Sequence, residues 1–292
     1  MKKILSVCLV MFMIVMISIS ALADAITPPA GEERVTLGND LSSSNKETVY
    51  NLLGVKEGQI RELIVTIDEE RSYLEGKVPS EKIGSRSISS IYLKTLEKGK
   101  GITCETHNID WATSEMYMAA LMTAGINDAQ IIVAAPFAVS GTAAMTGIYK
   151  AYEDITGQLL SEDAKDVATD ELVLTADLSD SLGDTEATTL INELKKILAE
   201  HEDISDEELN QYVLDVAEDQ GIDLTEDQIS QIIALLRKLQ SLDLDPEQLL
   251  KQAQQLQGTL DKLAEAKDQA SGFFEKIAQW WSSFVEWLGK IF

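Results

Sequence analysis

Between residues 204 and 249 one phrase is written three times at a spacing of 20 residues: Ile204-Ser205-Asp206-Glu207-Glu208-Leu209, Leu224-Thr225-Glu226-Asp227-Gln228-Ile229 and Leu244-Asp245-Pro246-Glu247-Gln248-Leu249. Each phrase is a helix start. Ser205, Thr225 and Asp245 supply caps for free backbone N–H groups, Glu208, Gln228 and Gln248 complete capping boxes, and the remaining acids favour the positive end of the helix dipole. Pro246 takes the first helical position, where its missing N–H costs nothing. Aliphatic stripes follow at helical spacing: Leu209, Val213 and Val216; Ile229, Ile233 and Leu236; Leu249, Ala253 and Leu256. Short capped helices with one apolar face must pack on one another, so residues 157–271 are expected to form an all-α domain. This stretch is also the acidic part of the chain, with 28 Asp and Glu against 8 Lys and Arg. Such a surface repels phosphate backbones, which argues against nucleic acid as a partner and leaves weak divalent-cation binding open beside simple solvation.

The preceding residues follow a different period. Arg34–Leu37 reads as a strand, Ser42–Leu53 as a helix stopped by Gly54, and Ile60–Ile67 as an apolar strand. The plan recurs with Ile102–Thr106 as strand, Thr113–Ala124 as helix stopped by Gly125, and Ile131–Ala135 as a buried strand. The two units match without gaps at an offset of 71, pairing Ser43 with Ser114, Gly54 with Gly125 and Ile60 with Ile131. Duplication of a β-α-β unit explains this; so does convergence on the same cap and turn chemistry. Ile88–Leu96 alternates and meets the next strand through Gly99-Lys100-Gly101, which predicts a hairpin. A helix from about Gly141 to Ile155 closes the region. The expected fold class is therefore α+β or α/β: a mixed-sheet domain over 34–156, then the helical domain, then an amphipathic helix over 272–292.

Lys2 and Lys3, the apolar run Ile4–Ile17 and Ala21-Leu22-Ala23 have the order of a secretory signal, with cleavage expected after Ala23 and a linker over 24–33 containing Pro28, Pro29 and Gly31. A retained anchor is the competing reading, although the run is short for a bilayer span. Cys8 lies inside the apolar run, so lipid modification is not expected. Removing residues 1–23 leaves Cys104 as the only thiol, and the core must hold the fold without an intramolecular disulfide.

Chemistry is sparse. Cys104 and His107 could form a nucleophile and base, but residues three apart on a strand point to opposite faces. Glu105 and His107 would share one. The stretch Ala134–Ala144 joins a strand to a helix whose free N–H groups could hold an anion, yet it lacks the Lys and spaced Gly pair of a phosphate loop, so capping by Ser140 or Thr142 is the simpler expectation. Asp203, Asp206, Glu207 and Glu208 lack calcium-loop spacing and read as helix-start acids. No cofactor and no metal site is expected. At the carboxy terminus Phe273, Ile277, Trp280, Trp281, Phe284, Trp287 and Leu288 form an aromatic stripe opposite Glu275, Gln279, Glu286 and Lys290. It suits a membrane interface or an envelope protein partner, and equally a helix packed on the bundle.

Four segments carry a family resemblance: Val35-Thr36-Leu37-Gly38, Tyr73-Leu74-Glu75-Gly76, Ile83-Gly84-Ser85-Arg86-Ser87-Ile88-Ser89-Ser90, and Ala135 through Ile148. Through them residues 32–268 resemble the YpuA-like secreted proteins of Gram-positive bacteria, a family defined by a domain of unknown function. The resemblance implies export and a shared fold, and transfers no activity, cofactor or catalytic residue. The functional expectation is a non-enzymatic, extracytoplasmic binding or interaction protein. The alternative is an extracytoplasmic enzyme with its site in the mixed-sheet domain near His107 and Ser140.

Overall fold

A computed structural model describes residues 28–201, 204–242 and 244–266. The signal segment and the aromatic stripe from Phe273 to Leu288 lie outside the described residues. Five strands form one mixed sheet: β1 (Glu33–Gly38), β2 (Glu62–Val65), β3 (Ser90–Thr95), β4 (Ile102–Ile109) and β5 (Ala129–Val139), in the order β2-β1-β3-β5-β4. β1 runs parallel to β2 and β4 to β5, while β3 is antiparallel to both of its neighbours.

Cross-sheet register assigns the faces. Val35, Tyr92 and Ile132 pair across one face with Leu37 and Ala134 beside them, and this face is covered by Val49, Tyr50 and Leu53 of α1 (Ser43–Leu53). Thr36, Ile91 and Val133 pair across the other, together with Leu93 and Ile131. That second face packs against α4 (Ser114–Thr123), α5 (Thr142–Thr156) and α6 (Glu162–Leu182), with α2 (Ile67–Leu74) and α3 (Ser80–Ile83) at its margin. The repeated strand-helix-strand order is thus present in β1-α1-β2 and β4-α4-β5, each with parallel strands. The two helices lie on opposite faces of the sheet, so the equivalent elements are differently placed.

The helical region continues with α7 (Asp184–Glu200), α8 (Asp206–Asp219), α9 (Glu226–Gln240) and α10 (246–266). The repeated caps form as their chemistry requires. Ser205 Oγ accepts from Glu208 N while Glu208 returns to Ser205 N, and Thr225 and Gln228 do the same. At the third start Asp245 Oδ1 accepts from the N–H groups of Glu247 and Gln248 at 3.0 and 3.2 Å. The buried stripes are Leu209, Val213 and Ala217 on α8 and Ile232, Leu235, Leu236 and Leu239 on α9, with Val216, Ile229 and Ile233 only partly covered. α6 is apolar on two sides. Its Ala168, Leu172, Val173 and Ala176 join the sheet-side core, and its Val167, Leu174 and Leu178 join the bundle core.

Three expectations need correction. The Gly99-Lys100-Gly101 turn does not make a hairpin, because β5 is inserted between β3 and β4. The turn is instead tied to β5, with Gly101 N donating to Asp128 Oδ1 at 2.7 Å and Ala129 N to Gly101 O at 3.2 Å. β5 carries Ile131-Ile132-Val133 and takes a central position, where both of its faces find apolar cover. The strand expected through Ile67 stops at Val65, because Thr66 and Glu69 form a capping box that starts α2. β5 also runs through Pro136 to Val139. The missing N–H is tolerated because pairing with β3 ends at Ala134 and a register shift interrupts the pairing with β4.

Candidate functional site

The ends of β4 and β5 open onto a pocket of about 420 Å³, whose lining includes Glu70, Lys82, Arg86, Asp110, Phe137 and Thr142. Four pieces of chain build it, and each is held there by local constraints.

β4 ends in a bulge. Asn108 sits at φ 59, its Nδ2 donates to Ala135 O at 2.8 Å, and pairing with β5 shifts between His107 and Ile109. The extra residue lets Asp110 N donate to Val139 O at 3.0 Å and brings the Asp110 side chain to the mouth.

The junction of β5 and α5 is the second piece. Gly141 adopts φ 90, and a Cβ there would lie 2.4 Å from Tyr117 Oη and 2.7 Å from Ile109 Cγ2. Tyr117, fully buried, donates its hydroxyl to Gly141 O at 2.7 Å. This close approach needs glycine. α5 then begins at Thr142 without a side-chain cap.

The third piece is α2, which delivers Glu70 to the inner wall at 1% exposure. Its Oε1 accepts the Thr142 hydroxyl at 2.6 Å, while its Oε2, itself buried, has no hydrogen-bond partner among the described residues. Burial pushes this carboxyl up to about 7; the Thr142 hydrogen bond and Arg71 oppose the shift, and Asp40 adds to it.

Last comes the segment from α3 to β3. Ser87 N donates to Asp40 Oδ2 at 2.8 Å, Asp40 N donates to Ser87 O at 3.1 Å, and a Cβ on Gly38 would meet Ser87 O at 2.4 Å. Arg71 Nη2 donates to Gly84 O at 3.0 Å. The segment is therefore pinned to the end of β1, and it holds exposed Arg86 at the rim with no ion pair among the described residues. Beside it Ser140 Oγ donates to Lys82 O at 2.6 Å, and the Lys82 ammonium lies 5.8 Å from the Trp111 ring centroid.

The structure brings Ser140 into this pocket and leaves His107 out of it. His107 pairs with Ala134 on the α1 face, whereas Cys104 pairs with Ile131 on the other face and packs against the core there, its thiol pushed up by burial. The two do not meet. Among the acids of the repeated helix starts, Glu208 closes a capping box, whereas Asp206 accepts from Arg237 Nε of α9 at 2.6 Å. Among the described residues no three His, Cys, Asp or Glu side chains converge as a metal site, and no helix is long and apolar enough to cross a membrane.

Glu70, Arg86, Asp110 and Phe137 escaped the reading of the sequence as site residues. Glu70 was hidden in the run Asp68-Glu69-Glu70, which looks like any acidic helix start once α2 is known and like a loop when it is not. One signal was available: Ile83–Ser90 and Ala135–Ile148, two of the segments that carry the family resemblance, supply most of the lining.

Comparison with known proteins gives a consistent picture. The family profile described as a protein of unknown function, DUF1002, matches residues 37–256. The "Uncharacterized protein YpuA" of Bacillus subtilis (strain 168) is 38% identical over 282 residues, covering 96% of this chain and 95% of that protein. No solved structure matches.

Proposed function

We propose that this chain, which belongs to the DUF1002 family of proteins of unknown function, is exported and acts outside the cytoplasmic membrane as a binding protein that holds a small ligand in the pocket at the ends of β4 and β5. The observation that carries the reading is the pocket itself, about 420 Å³, where Glu70, Lys82, Arg86 and Asp110 come together from α2, α3, the segment before β3 and the residue after β4. Export rests on the charged, apolar and small-residue order of residues 2–23. The aromatic stripe from Phe273 to Leu288 supplies a second contact, to a membrane surface or an envelope protein.

Two measurements test this. Intact mass of protein recovered outside the cells is expected to start at Asp24, and a product retaining Met1 would contradict export by a cleaved signal. Native mass spectrometry of the exported protein is expected to show a small bound species that Ser85→Trp, a bulky substitution at an exposed lining position, removes.

A catalytic reading also has one observation behind it: a carboxyl titrating near 7 can take or give a proton at neutral pH. Ser140, however, gives its hydrogen bond to a backbone carbonyl, that of Lys82. If Glu70→Gln reproduced the phenotype of a gene deletion while ligand retention persisted, the catalytic reading would displace the binding one.

A further inference from the structure

If the pocket at the ends of β4 and β5 is a binding site, as proposed above, its side chains narrow the class of ligand. Phe137 is the one exposed Phe, Tyr or Trp among the described residues, at 44% exposure, and it lies on the pocket wall. Its place follows from the strand that carries it. Pairing of β5 with β3 ends at Ala134 and Pro136 has no N–H to offer a neighbour, so Phe137 is carried past the sheet centre, while Val139 still pairs with Ile109. The backbone fixes the residue and leaves its ring open to solvent. A flat apolar ring of this kind gains most from a ligand with an apolar face of its own.

Four exposed charged side chains line the same pocket: Glu81 and Lys82 on α3, Arg86 in the segment before β3, and Asp110 after β4. Their signs balance, two against two, while the Glu70 carboxyl is buried in the wall. The balance is local, because the chain as a whole has a net charge of -25. An anion would meet Glu81 and Asp110, and a cation would meet Lys82 and Arg86, so neither sign of ligand is favoured. Glu81, Arg86 and Asp110 make no side-chain hydrogen bond or ion pair among the described residues, whereas the Lys82 ammonium lies 5.8 Å from the Trp111 ring centroid. Two acceptors and one donor thus remain for a ligand. A hydroxyl group both donates and accepts, and so satisfies either kind. A sugar ring carries hydroxyls along its edge and C–H groups on its faces, which matches the charged side chains and the Phe137 ring together.

We infer that the pocket binds an uncharged saccharide, with one face of a sugar ring against Phe137 and its hydroxyl groups shared among Glu81, Arg86 and Asp110. The planar guanidinium of Arg86 suits two neighbouring hydroxyl oxygens, and each carboxylate accepts from a pair of adjacent hydroxyls. Because the ligand brings no charge, its affinity is insensitive to salt.

Ligand-observed NMR on the mature chain tests this, with glucose, N-acetylglucosamine and cellobiose as saccharide probes and glycylleucine, putrescine and inorganic phosphate as charged comparators. At least one saccharide is expected to bind, with the protons of one ring face shifted upfield by the Phe137 ring. Phe137→Ala should weaken that binding about tenfold and abolish the shift, and Phe137→Tyr should keep both, with melting temperatures unchanged because the ring is exposed. Arg86→Ala should also weaken binding about tenfold. Between about 0.05 and 0.5 M salt the affinity should change less than about twofold. If no saccharide binds, or if one binds equally to Phe137→Ala or to Ser85→Trp, the inference is overturned. A charged comparator that binds and is blocked by Ser85→Trp, with every saccharide silent, ends the saccharide class while the binding pocket stands. Silence of all probes together with no bound species in native mass spectrometry of the exported protein overturns both.

Discussion

Glu70 is a buried carboxyl whose proton is coupled to folding. Its carboxyl is raised to about 7 by burial, above the ordinary value of 4.5, so the folded state holds its proton more tightly than the unfolded state. The stabilisation is complete below about pH 4.5 and is lost as pH rises through 7. The shift corresponds to on the order of 3 kcal/mol between those limits. Denaturant melts of the parent should therefore show a decline in stability between pH 5 and 8 that Glu70→Gln removes, and identical pH profiles for the two proteins would contradict the burial argument. Gly141 makes the complementary case for backbone. With φ 90 and a would-be Cβ 2.4 Å from Tyr117 Oη, Gly141→Ala must strain the chain and displace Tyr117 at once. A loss of roughly 2–4 kcal/mol is expected in chemical denaturation, whereas Gly54→Ala, where nothing lies within 4 Å of a Cβ, should lose only the cost of its left-handed backbone, about 1 kcal/mol.

At the scale of elements, capping decides where helices begin, and it was the most legible part of the chain. Ser205→Ala removes the two bonds of the Ser205 hydroxyl, which accepts from Glu208 N at 3.3 Å and donates to Glu208 Oε2 at 2.7 Å, and keeps the backbone bond from Ser205 N to Glu208 Oε2. It should destabilise the protein by about 1 kcal/mol, with Ser205→Asn close to the parent. Equal losses for Ala and Asn would mean that the cap contributes nothing. The same chemistry was overlooked at Thr66, where the apolar run Ile60–Ile67 favoured a strand and the box with Glu69 cut it short. Period and caps are local properties that a sequence displays directly. Strand order is not local, and the insertion of β5 between β3 and β4 depends on which strand can bury both faces. The pocket was half legible for the same reason: Ser140 and Thr142 lie in a conspicuous strand-to-helix junction, while Glu70 reaches it from an element 72 residues away in sequence from Thr142.

For the molecule as a whole the question is whether sheet and bundle unfold together. The core continues across the change of composition near residue 157, since Ala151 and Tyr152 of α5 share one cluster with Ala168 and Leu172 of α6, and α10 adds Leu256 and Leu260 to it. A buried ion pair ties the same junction. Lys195 of α7, at 0% exposure, donates to Glu171 Oε1 of α6 at 2.8 Å and, on α4, to Ala119 O at 2.8 Å and Thr123 Oγ1 at 2.9 Å. Thr123 in turn donates to the other oxygen of Glu171. Three helices from both regions thus converge on one ammonium. Lys195→Met leaves the Glu171 charge buried without its partner and should cost about 3–5 kcal/mol, whereas combining it with Glu171→Leu should recover much of the loss, because a satisfied apolar pair replaces a satisfied ionic one. The shared α6 further requires that far-ultraviolet signal from the helices and near-ultraviolet signal from Tyr117 and Tyr149, which sit against the sheet, report one midpoint in the parent. Two separated midpoints in the parent would mean that the α6 contacts do not couple the regions. Coincident midpoints in the parent that separate in Lys195→Met would place the coupling at this ion pair.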